Sequence, residues 1–224
     1  MAALFLFKMR EYNGFNELTY VYRDAYETRY TYRPDGLRHK KLFADGTTLS
    51  HIWDGQNIVA EYAANGGITA RYLRGITLIA RDQDNLLQYY LFNAHGDVTQ
   101  RTDQNGTALK NYDYDAFGVE KNPEQLDSNP FRYCGEYTDL ETNTLYLRNR
   151  HYNPAVGRFT SEDVARAGLN WYTYCGNNPV MFIDSSGLAA VNFADYLKAM
   201  GGQVKSTGEG KVSVTVGSET SYWT

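Results

Sequence analysis

Tyr30-Thr31-Tyr32-Arg33-Pro34-Asp35-Gly36 sets the pattern of this chain: an aromatic-x-aromatic pair, a polar turn and a glycine. The pattern returns in His51-Ile52-Trp53-Asp54-Gly55, Arg71-Tyr72-Leu73-Arg74-Gly75, Tyr90-Leu91-Phe92-Asn93-Ala94-His95-Gly96 and Tyr112-Asp113-Tyr114-Asp115-Ala116-Phe117-Gly118. The first positions lie 21, 20, 19 and 22 residues apart. Between them Asp45-Gly46, Asn65-Gly66-Gly67, Asp84-Asn85 and Asn105-Gly106 keep the same period out of phase. Asn-Gly and Asp-Gly supply the positive φ of type I′ turns, so each period reads as two short antiparallel strands. A single hairpin cannot bury its apolar face, so stacked hairpins must share a sheet that curls on itself or packs against something. The predicted fold is all-β: stacked antiparallel hairpins forming a curved ribbon or partial shell.

Composition points the same way. Among 224 residues there are 20 tyrosines and 20 glycines but 5 prolines, a mixture suited to pleated strands and tight turns. A chain of this length buries a core without a disulfide framework, and Cys134 and Cys175 read as small buried apolar residues. The formal charge of −4 argues against a dedicated nucleic-acid binder. The longest apolar run, Ala2–Phe7, falls far short of the roughly 20 residues of a membrane helix. No small-residue cleavage site follows it, so neither a signal peptide nor a membrane span is expected.

After Gly118 the period breaks, and the polar stretch Lys121–Pro130 with its two prolines reads as an irregular loop. Three segments follow from this: a hairpin array over 1–120, a module of dense but aperiodic aromatics over 121–188, and a short α/β tail over 189–224. In the tail, Asn192–Met200 has helical spacing that Gly201-Gly202 would end, and Lys211–Val216 alternates as a strand. Lys198, Lys205 and Lys211 there balance Asp195, Glu209 and Glu219, a neutral profile unlike that of a nuclease. Thirty-six residues are too few to fold as an independent enzyme.

The Tyr-x-Tyr-Asp-x-x-Gly units resemble the YD repeats of Rhs proteins, and Tyr112–Leu188 resembles the Rhs repeat-associated core domain. The second likeness rests on Phe131-Arg132-Tyr133-Cys134-Gly135-Glu136-Tyr137, Leu145-Tyr146-Leu147-Arg148-Asn149-Arg150-His151-Tyr152-Asn153-Pro154, Gly157-Arg158-Phe159-Thr160-Ser161-Glu162-Asp163 and Asp184-Ser185-Ser186-Gly187-Leu188. The resemblance covers residues 30–188 well, the first 29 more weakly, and the last 36 not at all. It implies a β ribbon that spirals into a shell, a core that closes one end, and a variable C-terminal effector sequestered by the shell. It also implies secretion or cell-surface display in bacterial competition. The partners it implies are the chain's own C-terminal segment and further shell repeats. Four or five repeats are too few to close such a cavity, so the chain resembles the end of a longer shell or a short orphan module.

In many members of that family the core cuts the chain after an Asp-Pro-x-Gly-Leu signature, by two carboxylates that act as base and acid. The resemblance places those aspartates at Asp163 and Asp184, 21 residues apart, and the cut at Leu188–Ala189. Val164 and Ser185 stand where the family has proline, which is expected to loosen both turns and slow or abolish cleavage. Arg158 is the candidate to orient or neutralise a carboxylate. Read from the residues alone, each aspartate is more often a turn cap than a catalytic acid, and Arg158 more often a structural partner of Glu162 or another acid. An alternative of another class is an extracellular module binding carbohydrate or protein without catalysis. Tyr112, Tyr114, Tyr146 and Tyr152 would then be stacking platforms on an open sheet face rather than cross-strand packing pairs. His39, His51, His95 and His151 show no metal-ligand spacing with each other or with the cysteines, so no metal and no cofactor is expected.

Overall fold

The computed structural model describes residues 8–23, 26–166, 168–192, 195, 198, 202–208, 211–216 and 219–223. Among them, β1 (Lys8–Tyr12), β2 (Leu18–Arg23), β3 (Tyr26–Tyr32), β4 (Arg38–Phe43), β5 (Thr48–Asp54) and β6 (Asn57–Ala63) begin one antiparallel sheet. The same sheet runs on through β7 (Ile68–Arg74), β8 (Leu78–Gln83), β9 (Leu86–Phe92), β10 (Val98–Thr102) and β11 (Ala108–Asn111), each strand pairing with the next. Turn chemistry sets this meander. Asp84 and Asn85 close β8 onto β9 with φ of 54° and 61°, the paired positive dihedrals of a type I′ turn. Elsewhere an Asx side chain fixes the turn, as where Asp103 Oδ1 accepts from the backbone of Asn105 and Thr107, both at 2.8 Å.

Because one unit of two strands and two turns takes twenty residues, equivalent pleat positions recur at that interval. Leu18, Arg38, Ile58, Leu78 and Val98 are all buried, as are Val21, Lys41, Glu61, Arg81 and Arg101, and Tyr30, Ser50, Ala70, Tyr90 and Lys110. Cross-strand pairing joins the rows, Lys41 opposite Tyr30, Glu61 opposite Ala70, Arg81 opposite Tyr72 and Arg101 opposite Tyr90. Register shifts fall at Glu11/Tyr12, Thr31/Tyr32, Ile52/Trp53 and Leu73/Arg74, near the end of successive odd-numbered strands. Each such bulge adds twist, and regular repetition coils the ribbon.

What fills the concave side is the segment around a second sheet of β12 (Tyr137–Asp139), β13 (Thr144–Leu147), β14 (Arg150–Asn153) and β15 (Arg158–Phe159). Tyr12 donates to Thr160 O at 3.0 Å, Arg38 to Asp139 Oδ2 at 2.7 Å, Tyr90 to Asn129 Oδ1 at 2.6 Å and Tyr112 to Asp127 Oδ2 at 2.8 Å. A flat sheet of eleven strands would be about 48 Å across. One short plug touches both of its ends, so the ribbon wraps around it. Ile58, Tyr72, Leu78, Tyr90, Val98 and Tyr112 of the ribbon side form one apolar cluster with Phe131 and Tyr137 of the plug. Tyr112, Tyr146 and Tyr152 are buried, and Tyr114 packs against both apolar clusters, so these rings are packing residues and not an open stacking face.

A charged knot lies at the same interface. Arg38 and Asp139 are both 0% exposed, and Lys41 Nζ reaches Asp139 Oδ1 at 2.6 Å and Glu141 Oε1 at 3.0 Å. The Arg38 guanidinium also lies 4.2 Å from the Tyr146 ring centre. Burial alone would raise the Asp139 carboxyl, but Arg38 and Lys41 hold it well below its ordinary range. His51 and His151, buried beside these cations, are pushed down, chiefly by burial.

Beyond the plug, β16 (Phe182–Ile183) pairs with β17 (Val191–Asn192), and β18 (Gly202–Gly208), β19 (Lys211–Val216) and β20 (Glu219–Trp223) form a separate three-stranded sheet. The strand expected over Lys211–Val216 is β19. The helix expected over Asn192–Met200 falls mostly outside the described residues. Asp195 and Lys198 within it are helical and ion-paired at 3.0 Å.

Two stages of acid destabilisation follow. The histidines are lowered in the fold, so the stability of their neutral form is complete above their ordinary 6.5 and falls as pH drops below it. Asp139 is also lowered, so its contribution is complete above the ordinary 3.8 and is lost as pH falls through its lower folded value. Tm measured against pH should show both declines, with His51→Gln weakening the first. Asp139→Asn should remove the second and cost about 3–5 kcal/mol at neutral pH, because it leaves the buried Arg38 without its carboxylate and Lys41 with Glu141 alone.

Candidate functional site

The turn between β13 and β14 carries Arg148 and Asn149, and Arg150 opens β14, a polar run set between buried strands. Against it lies Ser185-Ser186-Gly187, and three successive carbonyls are taken by three successive residues. Arg148 Nη1 donates to Ser185 O at 2.8 Å, Asn149 Nδ2 to Ser186 O at 3.0 Å, and Arg150 Nε to Gly187 O. Arg148 is itself held by Glu136 and by the Gln56 carbonyl at 3.1 Å. Close approach demands glycine at 187. Its φ is +72°, and a Cβ there would lie 2.7 Å from Leu147 O and 3.0 Å from Arg150 N.

Arg150 also gathers the two carboxylates. Its Nη2 lies 4.0 Å from Asp163 Oδ2 and 3.9 Å from Asp184 Oδ2, so those two oxygens are separated by no more than the sum of these distances. Asp163 is 7% exposed and Asp184 3%. Arg150 Nη1 donates to Trp171 O at 3.0 Å, and the guanidinium carbon sits 3.6 Å from the Phe159 ring centre. Burial lowers the Arg150 pKa, and the two carboxylates oppose that shift.

The other oxygen of each aspartate caps a turn. Asp163 Oδ1 accepts from Ala165 N at 2.9 Å. Asp184 Oδ1 accepts from Ser186 Oγ at 3.1 Å, Gly187 N at 2.8 Å and Leu188 N at 3.2 Å. These bonds anchor both carboxylates although Val164 and Ser185 stand in the proline positions, so the loosening expected from the missing prolines is countered by Asx turns. With Oδ1 occupied by backbone donors and Oδ2 facing a cation, this site offers no ligand set to a metal. A peptide bond entering here meets a carboxylate within hydrogen-bond reach of Leu188 N–H, a second carboxylate across one guanidinium, and a backbone already pinned.

Arg158 is placed apart from the two aspartates. On β15 it sits opposite Asn153, three residues and about 10 Å along β14 from Arg150, and its Nη1 donates to Thr173 Oγ1 at 3.2 Å. Glu162 pairs instead with Arg166 at 3.8 Å. Arg150 is the arginine that sequence reading missed. Its signal was the Arg148-Asn149-Arg150 run flanked by alternating apolar residues, which marks a polar turn amid buried strands.

A cavity of about 940 Å³ lies between the concave face and the plug, lined in part by Lys41, Glu61, Arg81, Ser128, Tyr137 and Glu141. That is the scale of a small-molecule pocket, about 300–1,000 Å³, and far from a chamber for a folded domain.

Residues 8–180 match the family described as Teneurin YD-shell. The tRNA3(Ser)-specific nuclease WapA of Bacillus spizizenii is 34% identical over 171 residues, covering 70% of this chain and 7% of that protein. The double-stranded DNA deaminase toxin A of Burkholderia cenocepacia is 27% identical over 219 residues, covering 80% of this chain and 15% of the toxin. A solved TcdB2-TccC3-Cdc42 structure superposes with a TM-score of 0.64 at 22% identity, over 84% of this chain and 10% of that one. The Photorhabdus luminescens Tc holotoxin pore gives the same TM-score, 0.64, at 21% identity over 82% of this chain and 10% of that one. The chain thus spans a small part of each of these proteins.

Gly187→Val should expel Ser185–Leu188 from the Arg148–Arg150 turn. Limited proteolysis is expected to cut this segment in the variant and spare it in the wild type, with a stability loss of about 1–3 kcal/mol from the left-handed backbone alone.

Proposed function

The chain belongs to the teneurin YD-shell family, and from that premise we propose that it scaffolds a toxin's C-terminal segment and cuts itself between Leu188 and Ala189. The observation that carries the cleavage half is the capture of three consecutive carbonyls, Ser185 to Gly187, beside two carboxylates that share Arg150. In this reading one carboxylate takes a proton from water as the water oxygen adds to the Leu188 carbonyl carbon. The C–N bond to Ala189 then breaks as the other carboxyl, which holds the pair's single proton from the outset, gives it to the leaving nitrogen. Arg150 stays protonated, positions both acids and balances the charge that develops between them. The reaction runs once and in cis, because its substrate is the chain's own backbone. Asp163 and Asp184 are the acid and base, and Arg150 takes the role that Arg158 was expected to fill.

The remaining assignments belong to the same proposal. Residues 1–120 form the repeat array, 121–188 the core, and 189–224 the segment to be released. The pairing of β17 with β16 would hold that segment in place after the cut, so cleavage and departure are separate events. Partners are the chain's own C-terminal segment and further shell repeats, which would add strands along β1. Secretion or cell-surface display as part of a longer bacterial protein suits this role. Among the described residues, no helix is long and apolar enough to cross a membrane. The carbohydrate-binding alternative is not favoured, since the tyrosines it needs are core residues.

Denaturing mass spectrometry of the purified chain tests the reading. Wild type should give fragments ending at Leu188 and beginning at Ala189, while Asp184→Asn and Asp163→Asn stay intact. An intact wild type removes the proteolytic half and leaves the scaffold.

A further inference from the structure

Away from the carboxylate pair, three ligand-type side chains meet where the β9–β10 hairpin touches the plug. His95 and Asp97 lie in the turn between β9 and β10, and Cys134 lies in a 3-10 turn over Tyr133–Gly135. Their ligand atoms all fall within 4.8 Å of one another. His95 Nδ1 is 2.9 Å from Asp97 Oδ1, and Cys134 Sγ is 3.8 Å from His95 Nδ1. Tetrahedral zinc, with bonds of about 2.3 Å to sulfur and 2.0–2.2 Å to nitrogen or oxygen, needs ligand-to-ligand edges of roughly 3.3–3.6 Å. The two measured edges bracket that range, so small side-chain rotations reach it.

The surroundings hold these atoms in place. Asn93 Oδ1 accepts from His95 N and Asp97 N, both at 3.0 Å, and Asn93 Nδ2 donates to Asp97 Oδ2 at 2.8 Å. Cys134 N donates to Asp97 Oδ1 at 2.9 Å, and Val98 N to Arg132 O at 3.0 Å, so the two turns are already joined. Cys134 keeps a positive φ of 53°, an unusual conformation for a residue with a side chain. Both cysteines are free thiols, and the second, Cys175, lies outside the cluster.

We propose that His95 Nδ1, the Asp97 carboxylate and the Cys134 thiolate bind a divalent cation of the zinc class, leaving a fourth position to water, and that the ion staples the β9–β10 hairpin to the plug. On binding, the Cys134 sulfur loses its proton to solvent, and the metal displaces the proton shared by His95 Nδ1 and Asp97 Oδ1. No electrons are transferred. The competing arrangement is a plain Nδ1–H to Oδ1 hydrogen bond with a neutral thiol nearby. The cluster escaped sequence reading because Cys134 lies 37 residues from Asp97, and only the curl of the ribbon onto the plug brings them together.

The test titrates the full chain, stripped by a chelator, with Co²⁺ alone and then Zn²⁺. A thiolate-to-cobalt charge-transfer band should saturate at one ion per chain, vanish on zinc addition, disappear in Cys134→Ser and persist in Cys175→Ser. Zinc should raise the wild-type Tm by about 3 °C or more and leave that of Cys134→Ser unmoved. No band in the wild type, or a band that survives Cys134→Ser, overturns the proposal. If Cys134→Ser fails to fold, His95→Gln decides. It keeps the thiolate, and must weaken cobalt binding by more than the roughly hundredfold that losing an outer partner costs at most, a smaller loss overturning the site.

Discussion

Asp139 is the carboxylate on which the ribbon closes. Repeats place Arg38 and Lys41 on the concave face, where burial without a counter-charge would cost several kcal/mol for each. The plug supplies that counter-charge from β12, and the rings of Tyr30, Tyr137 and Tyr146 surround the guanidinium. Ribbon and plug are therefore one thermodynamic unit. Hairpins alone would leave two cations facing an apolar groove, and the plug alone would bury an unpaired acid. Further along, Arg101 with Asp127, and Arg132 with Glu120 and Asp127, repeat the arrangement at the other end.

The period of aromatic pairs and Asx-Gly turns is a local signal, and it was enough to read the hairpins, their sequential pairing and the need for something to cover their apolar face. The twenty-residue spacing of buried charges was present in the sequence too, yet lysine, glutamate and arginine at inward positions look like solvated residues until a plug is supplied. Long-range geometry was less legible. Asp163 and Asp184 came from a resemblance and not from spacing, and the structure brings both to a single guanidinium. Arg158 was the only arginine weighed for this place, and Arg150 carries no local mark of the two aspartates that lie beside it. Only strand register shows which one faces Asp184. His95 with Cys134 was illegible for the same reason, since neither residue carries a local mark of the other.

At the carboxylate pair the two readings of each aspartate turn out to be compatible. One oxygen caps a turn and fixes the carboxyl, which leaves the second oxygen at a defined place beside Arg150. A cap of this kind is a means of presenting an acid with little conformational freedom. Arg150 serves both sides, since it binds the Gly187 carbonyl of the captured segment and faces the acids. Capture of the segment and pairing with the acids thus rest on one side chain, stacked on the Phe159 ring.

The uniform unit length has an implication for how such chains can lengthen. Pleated strands alternate sides with each residue, so gaining or losing one residue in a strand would turn its lysines and tyrosines outward and its solvent-facing leucines inward. A duplication of twenty residues does neither. It inserts another rung with every side chain already on its proper surface. Recombination in whole units is the route open to this architecture, and the loops at the hairpin ends, where odd lengths are absorbed by bulges, are where smaller changes can survive.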